Sequence, residues 1–448
     1  MKKILLAVFI FFPSLPALAQ HEHHEMDKPK ATDTVKSIDH KIHQEMQMPH
    51  SFSKELPMNR NGSGTGWLPD ETPIYAHMFN EKSWHLMYHG NLFLRHNWQN
   101  FNNDYRRGGH EFDAPNWGML MAQRMVGKRG LLLLRGMVSL DRLTMGGDGY
   151  PLIFQSGESW DGVPLIDRQH PHDIFSEFAV GYTHSLNKAM DIGGYLGYPG
   201  EPALGPTAFM HRISAMHNPD APLGHHWQDA THIAFGVATG GLRYKWGKLE
   251  GSVFTGREPD ENRFGWDKPR FDSYSYRLTV NPHKTLSLQF SQGFLESPEV
   301  LEPGEDVVRT TASVAHSIEL NPTSHIASTL VWGLNKTDSS RHEHSLLAES
   351  DVSFNKWVVY SRLEYVQKSA EELSLEASFG EEVFAIGSIT LGGSYRVWQY
   401  LKSDLRIGGQ ATLDVIENSL DPLYGSSPLS AEIYLQVSPA LLPGKGGH

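Results

Sequence analysis

The sequence predicts an all-β fold: a transmembrane antiparallel barrel of about sixteen strands, with roughly fourteen to eighteen as the range. Three observations predict it. Segments of about ten residues alternate apolar and polar side chains, as membrane-barrel strands do. The connections between them are alternately very short and long, and Trp and Tyr recur at the segment ends. Several soluble domains would be the ordinary reading of 448 residues, but they do not explain that alternation. A net charge of -12 without a basic stripe excludes a nucleic-acid binder.

The chain opens like an exported protein. Lys2 and Lys3 precede the apolar run Ile4 to Phe12, and Ala17-Leu18-Ala19 before Gln20 is an A-x-A cleavage site, so residues 1–19 read as a secretory signal. That run is too short to span a bilayer as a helix, and no later stretch reaches about 18 apolar residues. With no cysteine, no lipid anchor or disulfide is available. The expected location is the outer membrane of a Gram-negative cell, with outer-membrane lipid as partner.

Residues 20–66 show neither strand nor helix period and read as a flexible periplasmic tail. HEHHEM carries His21, His23 and His24, and HQEMQMPH carries Met46 and Met48. Imidazole mixed with thioether suits copper or silver better than magnesium or calcium; a solvated His-rich tail is the plain alternative.

Residues 67–442 read as the barrel, and residues 443–448 as a short C-terminal tail. Tight turns fall at Gly127–Gly130, Asn187-Lys188, Trp246–Lys248, Asn281–Lys284, Asn321–Ser324, Asn355-Lys356 and Gln399–Lys402. Long loops fall at Gln99–Asn116, Met145–Asp173, Gly197–Asp229, Arg257–Asp272, Leu295–Asp306, Asn335–His344, Lys368–Glu382 and Asp414–Leu429. This alternation puts both termini on the short-turn, periplasmic side. Leu286, Leu288 and Phe290 share one face against Ser287, Gln289 and Ser291; Phe178, Val180 and Tyr182 oppose Glu177, Ala179 and Gly181; Ile433, Leu435 and Val437 oppose Glu432, Tyr434 and Gln436. Girdle aromatics are expected at Trp84, Tyr88, Trp246, Trp332, Trp357, Tyr360, Trp398 and Tyr400. A terminal Phe, common in such barrels, is absent.

No nucleophile elbow, phosphate loop, dinucleotide fingerprint or H-E-x-x-H helix occurs, so no catalytic residue is assigned. The candidates are metal ligands. On the first strand, Trp84, Leu86, Tyr88, Leu92 and Leu94 face outward, which turns His85, Met87, His89, Asn91 and Arg95 into the lumen. The second loop ends with His170-Pro171-His172 between Asp167 and Asp173, two nitrogens with carboxylates at hand to orient them. The third loop carries His211, His217, His225, His226, Asp229 and His232. Outward Ile233, Phe235 and Val237 would then put His232 in the lumen. If this loop folds inward, its ligands line a constriction. A polar lumen lining and a braced loop are the structural alternatives for these residues.

GYPGEPALGP, the HHW-x-D-x-T-H run, GREPDE-x-R, DGVPLIDRQHPHD and ESPEVLEPGEDVVRTTAS resemble an uncharacterised family of Gram-negative outer-membrane barrels. That family tends to accompany copper and heavy-metal handling systems. The resemblance covers roughly the middle half of the chain and implies a location and a metal context, with periplasmic metal-handling proteins as partners, but no catalytic residue. The favoured expectation is a porin-like barrel that binds or passes a soft transition metal, copper favoured, or a small complex of one. An outer-membrane hydrolase, testable at Ser176 and Glu177 near His170 and His172, is the first alternative. A nonspecific diffusion or structural barrel is the second; either form can be a homo-oligomer.

Overall fold

The computed structural model describes residues 49–338 and 341–442. Residues 1–19, expected to be a signal sequence, the C-terminal residues 443–448, and the tail candidates His21, His23, His24, Met46 and Met48 lie outside the described residues.

Sixteen antiparallel strands close a barrel. They are β1 (Trp84–Gln99), β2 (Asn116–Val126), β3 (Gly130–Val138), β4 (Phe175–Asn187), β5 (Met190–Gly197), β6 (Val237–Tyr244), β7 (Gly247–Phe254) and β8 (Ser273–His283). The second half comprises β9 (Leu286–Leu295), β10 (Val307–Asn321), β11 (Ser324–Thr337), β12 (His342–Phe354), β13 (Trp357–Ser369), β14 (Val383–Tyr400), β15 (Ser403–Val415) and β16 (Leu429–Pro439). Every sequential neighbour pairs, and β16 closes on β1 from Ala431 opposite Trp98 to Val437 opposite Leu92. Short strands His77–Glu81 and Gly109–Asp113 extend the ladder at the two ends of β1. Closure matters because lipid offers no hydrogen bonds to an open edge. All seven predicted tight turns lie at strand junctions on one rim, and the long connections lie on the other.

The two faces divide as the alternation predicts. Leu94, Leu134, Val180, Leu242, Leu330, Leu391 and Ile433 point outward in an apolar belt that water would not tolerate on a monomer. Tyr88, Trp246, Trp357, Trp398 and Tyr400 are exposed near the strand ends. Tyr360, expected in that girdle, is instead inside, where its hydroxyl meets Tyr434 Oη at 3.0 Å and donates to Gln410 Oε1 at 3.1 Å. Among the described residues no helix is long and apolar enough to cross a membrane.

Protein fills the lumen. Residues 198–236, the third long loop, run inward and are almost wholly buried. The strand after that loop starts only at Val237, later than expected, because Gly236 breaks the chain with φ +111°. Ile233, Phe235 and Val237, expected on the lipid face, are therefore all buried inside. Gly333 on β11 gives the loop room: a Cβ there would meet the Trp227 carbonyl at 2.4 Å.

Residues 49–66 also depart from expectation. They are not a free tail but lie inside the barrel, because their polar groups find partners on the lumen wall. Ser63 Oγ donates to Glu201 at 3.0 Å, Arg277 Nη2 donates to Thr65 Oγ1 at 2.7 Å, and Lys248 bonds the Thr65 carbonyl. Buried ion pairs complete the filling. Arg95 reaches Asp113 and Asp220 at 2.6 Å and Glu432 at 3.0 Å; Arg135 pairs with Glu177 at 2.6 Å. Buried charge survives only when paired in this way.

Candidate metal centre

The second loop supplies the first part of the site. After β3 it forms a hairpin, Tyr150–Trp160 with Val163–Gln169, and returns through His170-Pro171-His172. The third loop supplies the rest through a single helical turn, His225–Gln228, followed by the turn Ala230–His232. The i,i+4 spacing of His225 and Asp229 lets the carboxylate cap the imidazole of its own turn.

Five imidazoles meet here. Ring centroids lie 5.4 Å apart for His170 and His226, 5.2 Å for His225 and His226, 5.2 Å for His225 and His232, and 5.3 Å for His172 and His232. Ligand nitrogens of His170, His225 and His226 all lie within 4.8 Å of one another. A metal held at about 2.0–2.1 Å by each nitrogen wants them roughly 3.4 Å apart, a difference that small ring rotations close.

Each ring is held from behind. His225 Nδ1 donates to Asp229 Oδ1 at 2.6 Å, His172 Nδ1 to Asp141 Oδ2 at 2.7 Å, and His226 Nδ1 to Glu258 Oε1 at 3.1 Å. His232 Nδ1 donates to the Asp229 carbonyl at 2.8 Å, and His170 Nδ1 lies 3.2 Å from Glu158 Oε1. A carboxylate or carbonyl only accepts, so in the neutral ring the proton sits on Nδ1 and the lone pair on Nε2. All five Nε2 atoms are buried without a protein partner. Metal-binding histidines are arranged in this way, with the outer nitrogen fixed by an acceptor and the inner one free for the ion.

Electrostatics keep the lone pairs available. Burial lowers His225 to about 4 against the pull of Asp229, and burial with neighbouring His225 and His172 lowers His232 to about 3. Burial and the surrounding imidazoles and Arg263 also hold His170 well below its usual value. Burial raises the Asp229 carboxyl, but the His225 bond and nearby Arg212 outweigh it and keep it ionised. Burial likewise pushes up Glu258, and His226 pulls it back below the ordinary glutamate range.

Outside this centre lies a cavity of about 200 Å³ lined by Glu158, Glu258, Glu299, Glu302, Glu371 and Glu372. Glu158 and Glu258 belong to both, so the acidic space borders the imidazoles directly. Gly157 is the close approach: its φ is +108°, and a Cβ there would meet His226 Cε1 at 2.5 Å.

The candidates therefore separate into groups. His170, His172, His225, His226 and His232 come together, with Asp229 orienting rather than ligating. His217 sits apart, its Nδ1 donating to Asp351 Oδ2 at 2.7 Å. His211 lies 5.4 Å from His89, beside Trp117. His85 is at the strand end with its Nδ1 2.7 Å from Asn80 Oδ1, so it joins neither group, while Met87 and His89 face inward as expected. The carboxylates predicted to flank His-Pro-His serve elsewhere. Asp167 accepts from Phe154 N and the Tyr424 hydroxyl, and Asp173 pairs with Arg263. Asp141, Glu158 and Glu258 take their place; only Glu258 stands in a motif singled out above, GREPDE-x-R, and none is adjacent to the ring it holds. The Ser176 grouping is not assembled: its hydroxyl donates to the Asp173 carbonyl, and Glu177 is bound to Arg135 and Tyr195.

No family model and no curated protein matches the chain. Solved structures do. Salmonella typhi OmpF, in complex with daunomycin, aligns at TM-score 0.50 with 8% identity, covering 81% of this chain and 100% of that one. An anion-selective porin from Comamonas acidovorans aligns at 0.47 with 11% identity over 79% and 99% of the two chains. Pseudomonas aeruginosa OpdQ aligns at 0.40 with 8% identity over 81% and 98%. The first likeness, with the closed ladder and apolar belt, defines a porin-type β-barrel. The protein is an outer-membrane barrel of that fold.

Proposed function

We propose that this protein is an outer-membrane barrel that takes up a transition-metal ion, copper foremost, at the imidazole centre between its second and third loops. The observation that carries this reading is the set of five buried imidazoles whose Nδ1 atoms are held by acceptors and whose Nε2 atoms have no protein partner. Neutral nitrogen donors suit copper, nickel and zinc, and the carboxylates behind them raise their basicity. The glutamate-lined cavity beside the centre attracts cations from the loop side and discriminates against anions. The mixed imidazole and thioether composition of the tail, and the resemblance to barrels that accompany copper handling, favour copper among these ions. A lumen crossed by its own third loop fits capture and controlled passage better than free diffusion.

Copper content and copper tolerance of a deletion strain, complemented with the wild type or with His225→Ala plus His226→Ala, test this. The wild type restores the native copper content and tolerance, and the double variant does not. Equal copper content and tolerance in all strains overturn it.

A further inference from the structure

The chain holds a second chamber of different chemistry, nearer the short-turn rim. The ladder between β1 and β2 sets Met87 opposite Met121 and His89 opposite Met119, and β3 continues the second row with Met137 opposite Met119. Directly opposed residues on one face bring their Cβ atoms within about 4.5–5.5 Å. Met87, Met119 and Met121 are all buried. Met210 and His211 of the third loop face this wall, and His211 lies 5.4 Å from His89. Met87, His89, Met119, Met121, Met210 and His211 line a cavity of about 80 Å³, room for roughly two or three water-sized groups.

Methionine is a common filler of irregular cores, and that is the plain explanation for one or two of them. Two features go beyond filling. The thioethers border open space rather than closing it, and His89 Nε2 is buried there without a hydrogen-bond partner. A core built for packing alone gains nothing from an unsatisfied ring nitrogen. The donor set is neutral and soft. The cations nearby are paired: Arg212, which lines the chamber, with Glu349 at 2.7 Å and Asp229 at 2.8 Å, and Arg135 on the adjoining wall with Glu177 at 2.6 Å. Thioether and imidazole together select monovalent d10 cations over divalent ones.

We propose that this chamber is a binding site for Cu(I) or Ag(I), distinct from the imidazole centre. The two are connected. A cavity of about 50 Å³ reaches from His170 and His172 past Phe209 to Asn91, Trp117, Met210 and Met216, and those last four line the methionine chamber as well. An ion leaving the upper centre thus meets softer ligands below. The floor is the N-terminal segment, through Asn59, Asn61 and Thr72 to Tyr75.

Silver ion is the redox-inert probe, titrated into the detergent-solubilised full-length protein in chloride-free buffer. The wild type binds a tight equivalent of Ag(I) that Met119→Leu plus Met121→Leu removes, a near volume-conserving change. His225→Ala plus His226→Ala keeps that equivalent and loses Cu(II) binding, so failure of the upper centre and of this site are told apart. An independent measurement needs no variant. Peptide mass spectrometry follows peroxide oxidation of Met119 and Met121 in the wild type, and bound Ag(I), occupying the sulfur lone pairs, slows it at least tenfold. An unchanged Ag(I) stoichiometry in the leucine variant, or an unchanged oxidation rate, overturns the proposal.

Discussion

Asp229→Asn is the sharpest probe of the imidazole centre, because it spares all five rings and alters only what holds one of them. Asp229 Oδ1 accepts from His225 Nδ1 at 2.6 Å, while Oδ2 accepts from Arg212 Nη1 at 2.8 Å and from the Phe209 amide at 2.9 Å. Its carbonyl accepts from His232, a bond that the substitution leaves intact. Asparagine can still accept from His225, but without charge, so the ring becomes a weaker donor to metal and its orientation is less fixed. Replacing an outer partner of this kind typically lowers metal affinity about 10- to 100-fold, equivalent to roughly 1.4–2.7 kcal/mol. Arg212 keeps Glu349 at 2.7 Å, so the buried cation is not abandoned and the barrel folds. The assay is competition for Cu(II) against a chelating indicator, on purified protein in detergent, with heat-modifiable gel mobility as the folding control. His85→Ala is the internal reference and leaves affinity unchanged, since His85 sits at the rim. A folded Asp229→Asn protein whose Cu(II) affinity stays within twofold of the wild type would refute an orienting role for Asp229 and, with it, metal binding at His225.

Three further outcomes follow from the same geometry. Arg95→Met leaves Asp113, Asp220 and Glu432 without their shared cation and destabilises the barrel by about 3–5 kcal/mol; thermal unfolding in detergent measures this, and a loss below 1 kcal/mol contradicts it. Gly157→Ala forces a side chain into a φ of +108° and against the His226 ring, costing roughly 1–3 kcal/mol; Cu(II) retention falls with it, whereas Gly162→Ala, open to solvent, retains full binding. Burial raises the Glu201 carboxyl to about 8, against the pull of Arg277 and Ser63. The folded state therefore holds a proton that the unfolded state releases near pH 4.5, so this contribution to stability is present below that value and is lost as pH rises through 8. Hydrogen exchange at residues 62–66, beside the Ser63–Glu201 bond, accelerates between pH 6 and pH 9 beyond its intrinsic dependence, and Glu201→Gln flattens the change.

How much of this was legible in the sequence depends on the range of the interaction. The barrel was, because alternation and turn chemistry are local: Leu286-Ser287-Leu288 declares its two faces without reference to anything distant. The first strand's lumen row held for the same reason, with Met87, Asn91 and Arg95 all buried. The parity of Ile233 to Val237 failed where a single Gly236 in a left-handed conformation ended the strand pattern. Residues 49–66 carry no strand or helix period, and their order comes from lumen partners more than a hundred residues away, such as Glu201 and Lys248. The site shows the same division. His-Pro-His and the HHW run stand out in the sequence, but only folding says that His170 faces His226 rather than His211. Asp141 and Glu158 lie in unremarkable contexts, Glu258 stands in the GREPDE-x-R motif without a ligand signal, and topology alone pairs all three with the rings.

The bulk chemistry of the lumen also weighs between a binding centre and a merely filled barrel. Ion pairs such as Arg212 with Glu349 and Arg362 with Glu349 fill space while satisfying most of their polar atoms. The imidazole centre does the reverse. A buried acceptor left without a partner costs about 1–3 kcal/mol, and the centre gathers five such Nε2 atoms in one place. Leucine at those positions would fill a similar volume without an unpaired Nε2, although it would leave the acceptors behind the rings without their donors. Each ring instead spends its other nitrogen on an acceptor that fixes its aim. The net cost is recovered when a cation takes the lone pairs, since binding to the folded form alone adds its free energy to folding. Metal should therefore raise the unfolding temperature of the wild type and leave that of His170→Leu plus His225→Leu unchanged. An equal rise in the leucine variant would mean that the metal is held elsewhere and that the imidazoles serve the fold alone.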